Sequence, residues 1–417
     1  MAAFAGLDVG TTSSKAVVYG DDGVVLGSGR AATTWDTGPA GTEIDAEALC
    51  RSAFDALSAA AAAAAVPIDA VGITSMGESG ILVDDRQRPL TPVIAWHDDR
   101  DDDEVADLAA TIGAEVFGGI AGKPLRGQFS LTKHRWLRRH VPVSRRATTR
   151  FDVGGWVVRR LGGDAVIELS LAGRTGWLDV AAADWWDEAL AWSGADRALM
   201  PPLVAAGIPV GAITSDAVDP HLRGAVLTLA GHDHQASALG ARATGQGYEL
   251  DSSGTAEALV RTIAPAPQRS AVARLAAAGI TTDPSIEPGR WSLLGGTEGG
   301  LAQLRALERL GADLAELDAA AEREPDAGPG AEWRTVVATA ADEALALHRA
   351  MDEVVGPATR VVVTGGWRHS AEVMRAKALR FGPLDVSSVE EAGALGAATL
   401  AARACGGIGA GEHLGAP

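Results

Sequence analysis

The sequence predicts an α/β protein made of two related halves, on three observations. Residues 3–9 (AFAGLDV) and 15–19 (KAVVY) are apolar runs on either side of a Gly-Thr-Ser turn, DDG at 21–23 turns the chain into a third strand near 24–29, and helix formers at helical spacing follow over 45–66. Strand patterns then resume at 69–75, 80–84 and 92–96, so strands and helices alternate in layers. After Gly240 the theme restarts: Leu250-Asp251-Ser252-Ser253-Gly254-Thr255 echoes Leu7-Asp8-Val9-Gly10-Thr11-Thr12, each an apolar strand that delivers a carboxylate and a Gly-Thr turn. Such an echo predicts two lobes with a cleft between them. The boundary falls near residue 243, giving domains over 1–242 and 243–417.

Each element follows from local chemistry. Asp45 is placed to cap the helix over 45–66, and Pro67 closes it. From 100 to 210 the pattern is mostly helical, with amphipathic segments near 130–140, 151–161 and 184–192, and 225–230 (AVLTLA) is an apolar run like a buried strand. The second half offers a strand at 291–294, a Gly-rich turn at 295–300, helices over 301–323, a flexible EPDAGPG stretch at 324–330 and a long helix near 331–355. A strand at 360–364 ends in Gly365-Gly366, and a helix near 370–380, a last strand near 384–388 and a small-residue helix at 390–402 complete the chain.

A chain of 417 residues is long enough for two or three domains, each with a substantial core. The 47% hydrophobic content and a mean hydropathy just above zero exclude a disordered chain. Thirty-six basic against 54 acidic residues give a net charge of −18, a field that repels nucleic acid and anionic membrane surfaces. An anionic small molecule remains admissible where backbone N–H groups or a metal ion reverse that field locally. Two cysteines, Cys50 and Cys405, exclude a disulfide framework and fit a reducing cytoplasm. No bilayer-spanning run and no leader pattern is legible.

Five constellations carry candidate chemistry. Residues 8–15 (DVGTTSSK) form a hairpin tip with close-approach backbone, hydroxyl donors and a carboxylate, the parts that phosphate and water-bound magnesium require, although an ordinary turn has the same composition. It is not a Walker loop, because the Gly-Lys-Ser/Thr ending is missing. Residues 252–255 (SSGT), after Asp251, offer a second such tip from the opposite half. Asp233, in AGHDHQA at 230–236, stands where an apolar strand meets a helix and could take a proton from an attacking hydroxyl, cap that helix, or join His232 and His234 around a metal. Gly365 and Gly366 after a buried strand suit a flat ring or a phosphate, with Trp367 either stacking on a ligand or filling a gap. Glu78, Asp98 and Arg100, just beyond strand ends, would hydrogen-bond a polyhydroxyl substrate, with Trp96 as an apolar wall.

Taken in order, LDVGTTSSK, GITSMGES, PVIAWHDDR, SLAGRT, AGHDHQA, SSGTAEAL, TGGWRHS and EEAGALGAA resemble the FGGY family of carbohydrate kinases, from residue 5 to about 402. The GHDH form and SLAGRT are most similar to xylulokinase-like members. The resemblance implies two actin-like ATPase (ribonuclease H-like) domains with an inter-domain cleft, ATP held mainly by the second and a sugar or polyol by the first. It implies ATP and magnesium as cofactors, Asp233 as general base and Asp8 as the magnesium-orienting carboxylate. Gly10, Thr11, Thr12 and Lys15 match the first phosphate hairpin, Gly254 and Thr255 the second, and Gly365 and Gly366 the adenosine site. Glu78, Trp96, Asp98 and His234 fall on sugar-pocket positions. The family's usual neighbours of the base are replaced by His232 and His234, Gly77-Glu78 replaces its Met-His or Arg-Glu pair, and no counterpart of its Gly-Glu-Arg-Thr-Pro segment appears between 323 and 331. A cytoplasmic kinase is the expectation, with a homodimer compatible; a non-catalytic sensor on the same fold and a metal-dependent hydrolase at His232, Asp233 and His234 are the rivals.

Overall fold

A computed structural model describes residues 2–39, 41–254 and 256–415. The first half contains β1 (Ala3–Val9), β2 (Ser13–Gly20), β3 (Val25–Ala32), β4 (Ala70–Ser75), β5 (Pro209–Ala212) and β6 (Val226–His232), in the sheet order β5-β6-β4-β1-β2-β3. The second contains β7 (Tyr248–Ser253), β8 (Glu257–Ile263), β9 (Thr281–Pro284), β10 (Trp291–Thr297), β11 (Arg360–Thr364) and β12 (Asp385–Val386), in the order β9-β10-β8-β7-β11-β12. Without the outer strands β5 and β9 the two sheets share one plan. An antiparallel meander (β1-β2-β3, β7-β8-β10) is joined on one side by parallel strands (β4 and β6, β11 and β12). The Leu7–Thr12 echo is therefore a structural repeat, with β1 and β7 at equivalent places.

Five helices matter for the site: α1 (Ala46–Ala64), α2 (Asp233–Gly240), α3 (Gly328–Val355), α4 (Ala371–Phe381) and α5 (Ala392–Ala404). Asp45 caps α1 as expected, accepting from the Ala48 N–H. α5 follows the second sheet in the chain and yet packs on the first, against β1, β4 and α2. The reason is legible in its small residues. A Cβ on Gly6 or Gly72 would lie 1.8 or 1.9 Å from the carbonyl oxygens of Ala394 and Ala397, so glycines in the sheet and alanines in the helix let backbone touch backbone.

Two local expectations change and one is met. β10 runs through Thr297 and absorbs the first part of the expected Gly-rich turn. The helices expected over 301–323 are present as Gly299–Leu310 and Leu314–Arg323, separated where Gly311 takes φ 60°. The expected flexible stretch is shorter, because Gly328, Pro329 and Gly330 form the first turn of α3, where proline's missing N–H costs nothing. No helix among the described residues is long and apolar enough to cross a membrane.

Candidate functional site

Strand register assembles the site. Val9 of β1 pairs with Ser75 of β4, and Ser75 pairs in turn with His232 of β6, so three parallel strands end in line. Their carboxyl ends deliver Asp8 and the Gly10 turn, then Met76-Gly77-Glu78, then Asp233, within a span of roughly 10 Å at the usual strand spacing. A bulge in β6 at Ala230 leaves Gly231 at φ 78°, its carbonyl accepting from Thr74 Oγ1 at 2.7 Å. That bulge re-aims the last residues of the strand so that Asp233 opens α2.

A cavity of about 700 Å³ opens there between the two halves. It brings together Thr11, Glu78, Trp96, Asp98, Asp233 and His234 from the first half, with Glu257, Gly296 and Thr297 facing them from the second. Trp96 Nε1 donates to Thr11 Oγ1 at 3.0 Å, which joins the expected apolar wall to the first hairpin tip. Glu78, at φ 64°, is buried and is not free to bind alone: Arg174 Nε and Gln128 Nε2 donate to its Oε1 at 2.9 and 3.0 Å. Asp98 lines the cavity, but both its oxygens are taken by Arg100 at 2.8 and 3.0 Å, so its carboxylate braces the wall.

Asp8, Gly10, Thr12, Lys15, Gly254, Gly365 and Gly366 are not among the residues that line that cavity, and ion pairs of residues 390 and 391 tie two of these segments together. Lys15 Nζ binds Glu391 Oε2 at 2.9 Å, Arg368 Nη1 donates to the Gly365 carbonyl at 2.9 Å, and Arg368 Nη2 binds Glu390 at 2.6 Å. The first hairpin and the Gly365-Gly366 turn thus meet on one segment. Gly365, at φ 87°, would place a Cβ 2.2 Å from the Ser253 carbonyl oxygen and 3.0 Å from Gly254 N, whereas a Cβ on Gly366 would meet nothing within 4 Å. Only glycine can sit at the first position, and the second leaves an open backbone face. Gly10 donates to the Ser13 carbonyl across the turn and Thr12 is exposed. Thr255 lies outside the described residues. Trp367 fills a gap: it is buried against Trp333, ring centroids 6.0 Å apart, and cannot stack on a ligand.

Burial raises the carboxyls of Asp8, Glu168, Asp233 and Asp251 alike to about 7, and of these Asp8 and Asp233 stand together at the strand ends. Burial pushes the Asp8 carboxyl up to about 7, helped by the charge of Asp233, and burial with Glu78 nearby pushes Asp233 to about 7 as well. Asp8 Oδ1 is buried with no partner, while Asp233 Oδ1 accepts from the His234 N–H at 2.7 Å and lies 3.2 Å from His232 Nε2. Burial keeps His232 and His234 neutral, the latter with a pKa near 4. A neutral His232 therefore stands beside Asp233 as a polar neighbour and not as a counter-ion. The metal-hydrolase reading loses its basis, since no three His, Cys, Asp or Glu side chains among the described residues are placed to hold a metal. Two facing acidic groups with a spare buried oxygen suit instead a cation held through water. Arg174, Lys123 and Asp283 were not among the residues singled out in the sequence. The signal for Arg174 was the SLAGRT string itself, whose arginine is its one charge, whereas nothing local marks Lys123 or Asp283, which Arg174 meets only in the fold.

The class of fold is a two-lobed α/β architecture with an acidic cleft between repeated hairpins. Residues 3–240 match the profile of the FGGY family of carbohydrate kinases, N-terminal domain, and the chain belongs to that family. It is similar to the glycerol kinase of Rhizorhabdus wittichii (30% identity over 344 residues, 77% of this chain and 66% of that protein) and to that of Methylorubrum extorquens (30% over 279 residues, 63% and 55%). The chain spans about half to two thirds of the length of these curated relatives. Among solved structures it is similar to a xylulose kinase from Rhodospirillum rubrum (TM-score 0.84, 24% identity, 99% of this chain and 94% of that one). It is also similar to Plasmodium falciparum glycerol kinase with ADP (TM-score 0.88, 18% identity, 96% and 89%). At these identities the likeness fixes the fold.

Proposed function

We propose that the chain transfers the γ-phosphoryl group of ATP to a hydroxyl of a small sugar or polyol, with the first lobe holding the acceptor and the second the nucleotide. The observation that supports it most is the position of Asp233, aimed into the cavity from a strand end beside Asp8 and opposite the second lobe. The chemistry supplied by magnesium–ATP is a transferable phosphoryl group with its charge neutralised. Asp233 accepts the proton of the attacking hydroxyl. Asp8 would hold magnesium through water, and the Gly10, Thr11, Thr12 and Lys15 tip and the open Gly366 face would bind phosphate and nucleoside. Trp96 covers the acceptor's apolar side and Glu78, Gln128 and His234 read its hydroxyls. A cleft shared by two lobes can exclude water when both sites are filled, which limits wasteful hydrolysis. Two free thiols, Cys50 and Cys405, suit the cytoplasm as the compartment.

The test is ADP release over a panel of tetritols, pentuloses and hexuloses that includes glycerol and D-xylulose. At least one acceptor should be turned over, and Asp233→Asn should lower that turnover by at least ~100-fold. Binding without turnover across the panel would leave the sensor reading.

A further inference from the structure

Residues 168–175 contain a charged side chain that phosphoryl transfer, as described, leaves without a task. Glu168 caps the short helix Leu169–Gly173, its Oε2 accepting from the Ser170 and Leu171 N–H groups at 2.8 and 3.1 Å. Ser170 Oγ donates to the same oxygen at 2.5 Å and accepts from the His232 N–H at 2.9 Å. The turn therefore grips the residue that precedes Asp233. Its C-terminal end then sends Arg174 between the lobes. Nε donates to Glu78 Oε1 at 2.9 Å, while Nη1 donates to Thr281 Oγ1 at 2.6 Å and to Asp283 Oδ2 at 3.1 Å, both on β9 of the second sheet. Lys123 Nζ binds the other oxygen of Asp283 at 2.6 Å.

These four charges sum to zero, and all four side chains are at most 4% exposed. Gly77 makes the arrangement feasible, because a Cβ there would lie 2.8 Å from Arg174 Cγ and 2.9 Å from its Cβ. Glu78 and Arg174 both border the cavity, so the network begins at the acceptor wall and ends inside the other lobe.

We propose that Arg174 is a positioning residue that couples filling of the acceptor cavity to the seating of the second lobe, by sharing one guanidinium between Glu78 and the Asp283–Thr281 pair. This rests on the kinase reading of the same cleft. An acceptor hydroxyl that competes for Glu78 Oε1 alters the guanidinium's share of that oxygen, and the planar fork passes the change to β9 in a medium too dry to screen it. A lysine replaces the planar fork with one ammonium centre, so it cannot reproduce the guanidinium's fixed geometry toward Glu78 on one side and Thr281 and Asp283 on the other. Coupling of this kind is reciprocal: whatever the acceptor does for nucleotide affinity, the nucleotide does for the acceptor.

Calorimetric titration of the full chain with glycerol and with D-xylulose, each with and without magnesium and a non-hydrolysable ATP analogue, tests this. The analogue should tighten at least one acceptor by about 10-fold, Thr281→Val should reduce that factor to about 3, and Arg174→Lys should bring it close to 1. A purely structural role would lower both affinities and leave the factor unchanged. That result, or no tightening in the unaltered chain, overturns the proposal. If Arg174→Lys does not fold, the Thr281→Val factor decides by itself. Coupling without phosphoryl transfer to any acceptor would remove the kinase reading and leave the coupling standing.

Discussion

The β1–β2 and β7–β8 hairpins occupy equivalent places, and each presents an aspartate at the same step, yet the two carboxylates live in different surroundings. Asp8 faces Lys15 across the hairpin, but that lysine reaches out to Glu391 at 2.9 Å and is itself about a third exposed. Asp8 is left beside Asp233 with an unpartnered oxygen. Asp251 also keeps an Oδ1 without a partner, but it is sealed: Lys377 from α4 bonds its other oxygen and Glu257 directly, with all three side chains at most 3% exposed. Burial raises both aspartates to about 7, so the titration alone would not tell them apart. The supply of a cation does. A repeated strand plan delivers a carboxylate twice, and the helix packed behind it decides whether that carboxylate waits for a ligand or completes a core ion cluster.

Magnesium dependence should give the largest contrast. Asp8→Asn should raise the magnesium concentration needed for half-maximal turnover by roughly 10–100-fold, the range for losing a group that orients a metal's ligands, and Asp251→Asn should leave it unchanged. Magnesium titration of ADP release reads the difference, and equal shifts in both variants would erase the distinction between the hairpins.

Stability should show the reverse order. Lys377→Met strands Asp251 and Glu257 as buried unpaired carboxylates and should cost about 3–5 kcal/mol in urea unfolding. Lys15→Met breaks an exposed pair and should cost less than about 1 kcal/mol, while weakening ATP binding. A similar contrast holds at the nucleotide turn. Gly365→Ala forces a Cβ into the Ser253 carbonyl at a positive φ and should lower stability by roughly 1–3 kcal/mol. Gly366→Ala should keep the melting temperature and raise the KM for ATP.

The smallest effect concerns pH. Asp8 and Asp233 hold their protons more tightly folded than unfolded, so their contribution is complete below about pH 4 and is lost as pH rises through about 7. Between pH 5 and 8 the magnesium-free chain should lose a few °C of melting temperature, on the order expected for a shift of a few kcal/mol, and Asp233→Asn should lose less. Activity should move the other way, with kcat/KM climbing through pH 7 as Asp233 is freed to accept a proton. A flat stability profile would mean that the two carboxylates are more solvated than their burial implies.

The sequence by itself determined what depends on neighbours in the chain. The strand–turn–strand pattern, the echo at 250–255, the Asp45 cap and the placement of Asp233 at a strand-to-helix junction are all set within a few residues, and all are present in the fold. The same locality delivered Thr11, Glu78 and His234 to one cavity, because they sit just beyond the carboxyl ends of strands in one sheet, and Trp96 joins them from the end of a short strand in a separate small sheet. What only the tertiary structure decided is which charges are already spoken for. Asp98 gave up its oxygens to Arg100, Trp367 turned inward to Trp333, and α5 crossed back to the first sheet. Arg174 found Asp283 109 residues away, Lys123 found it 160 away, and Lys15 found Glu391 376 away. Hydrophobic period and turn chemistry act over single steps of the chain, whereas ion pairs are chosen after folding by proximity and the cost of leaving a charge dry.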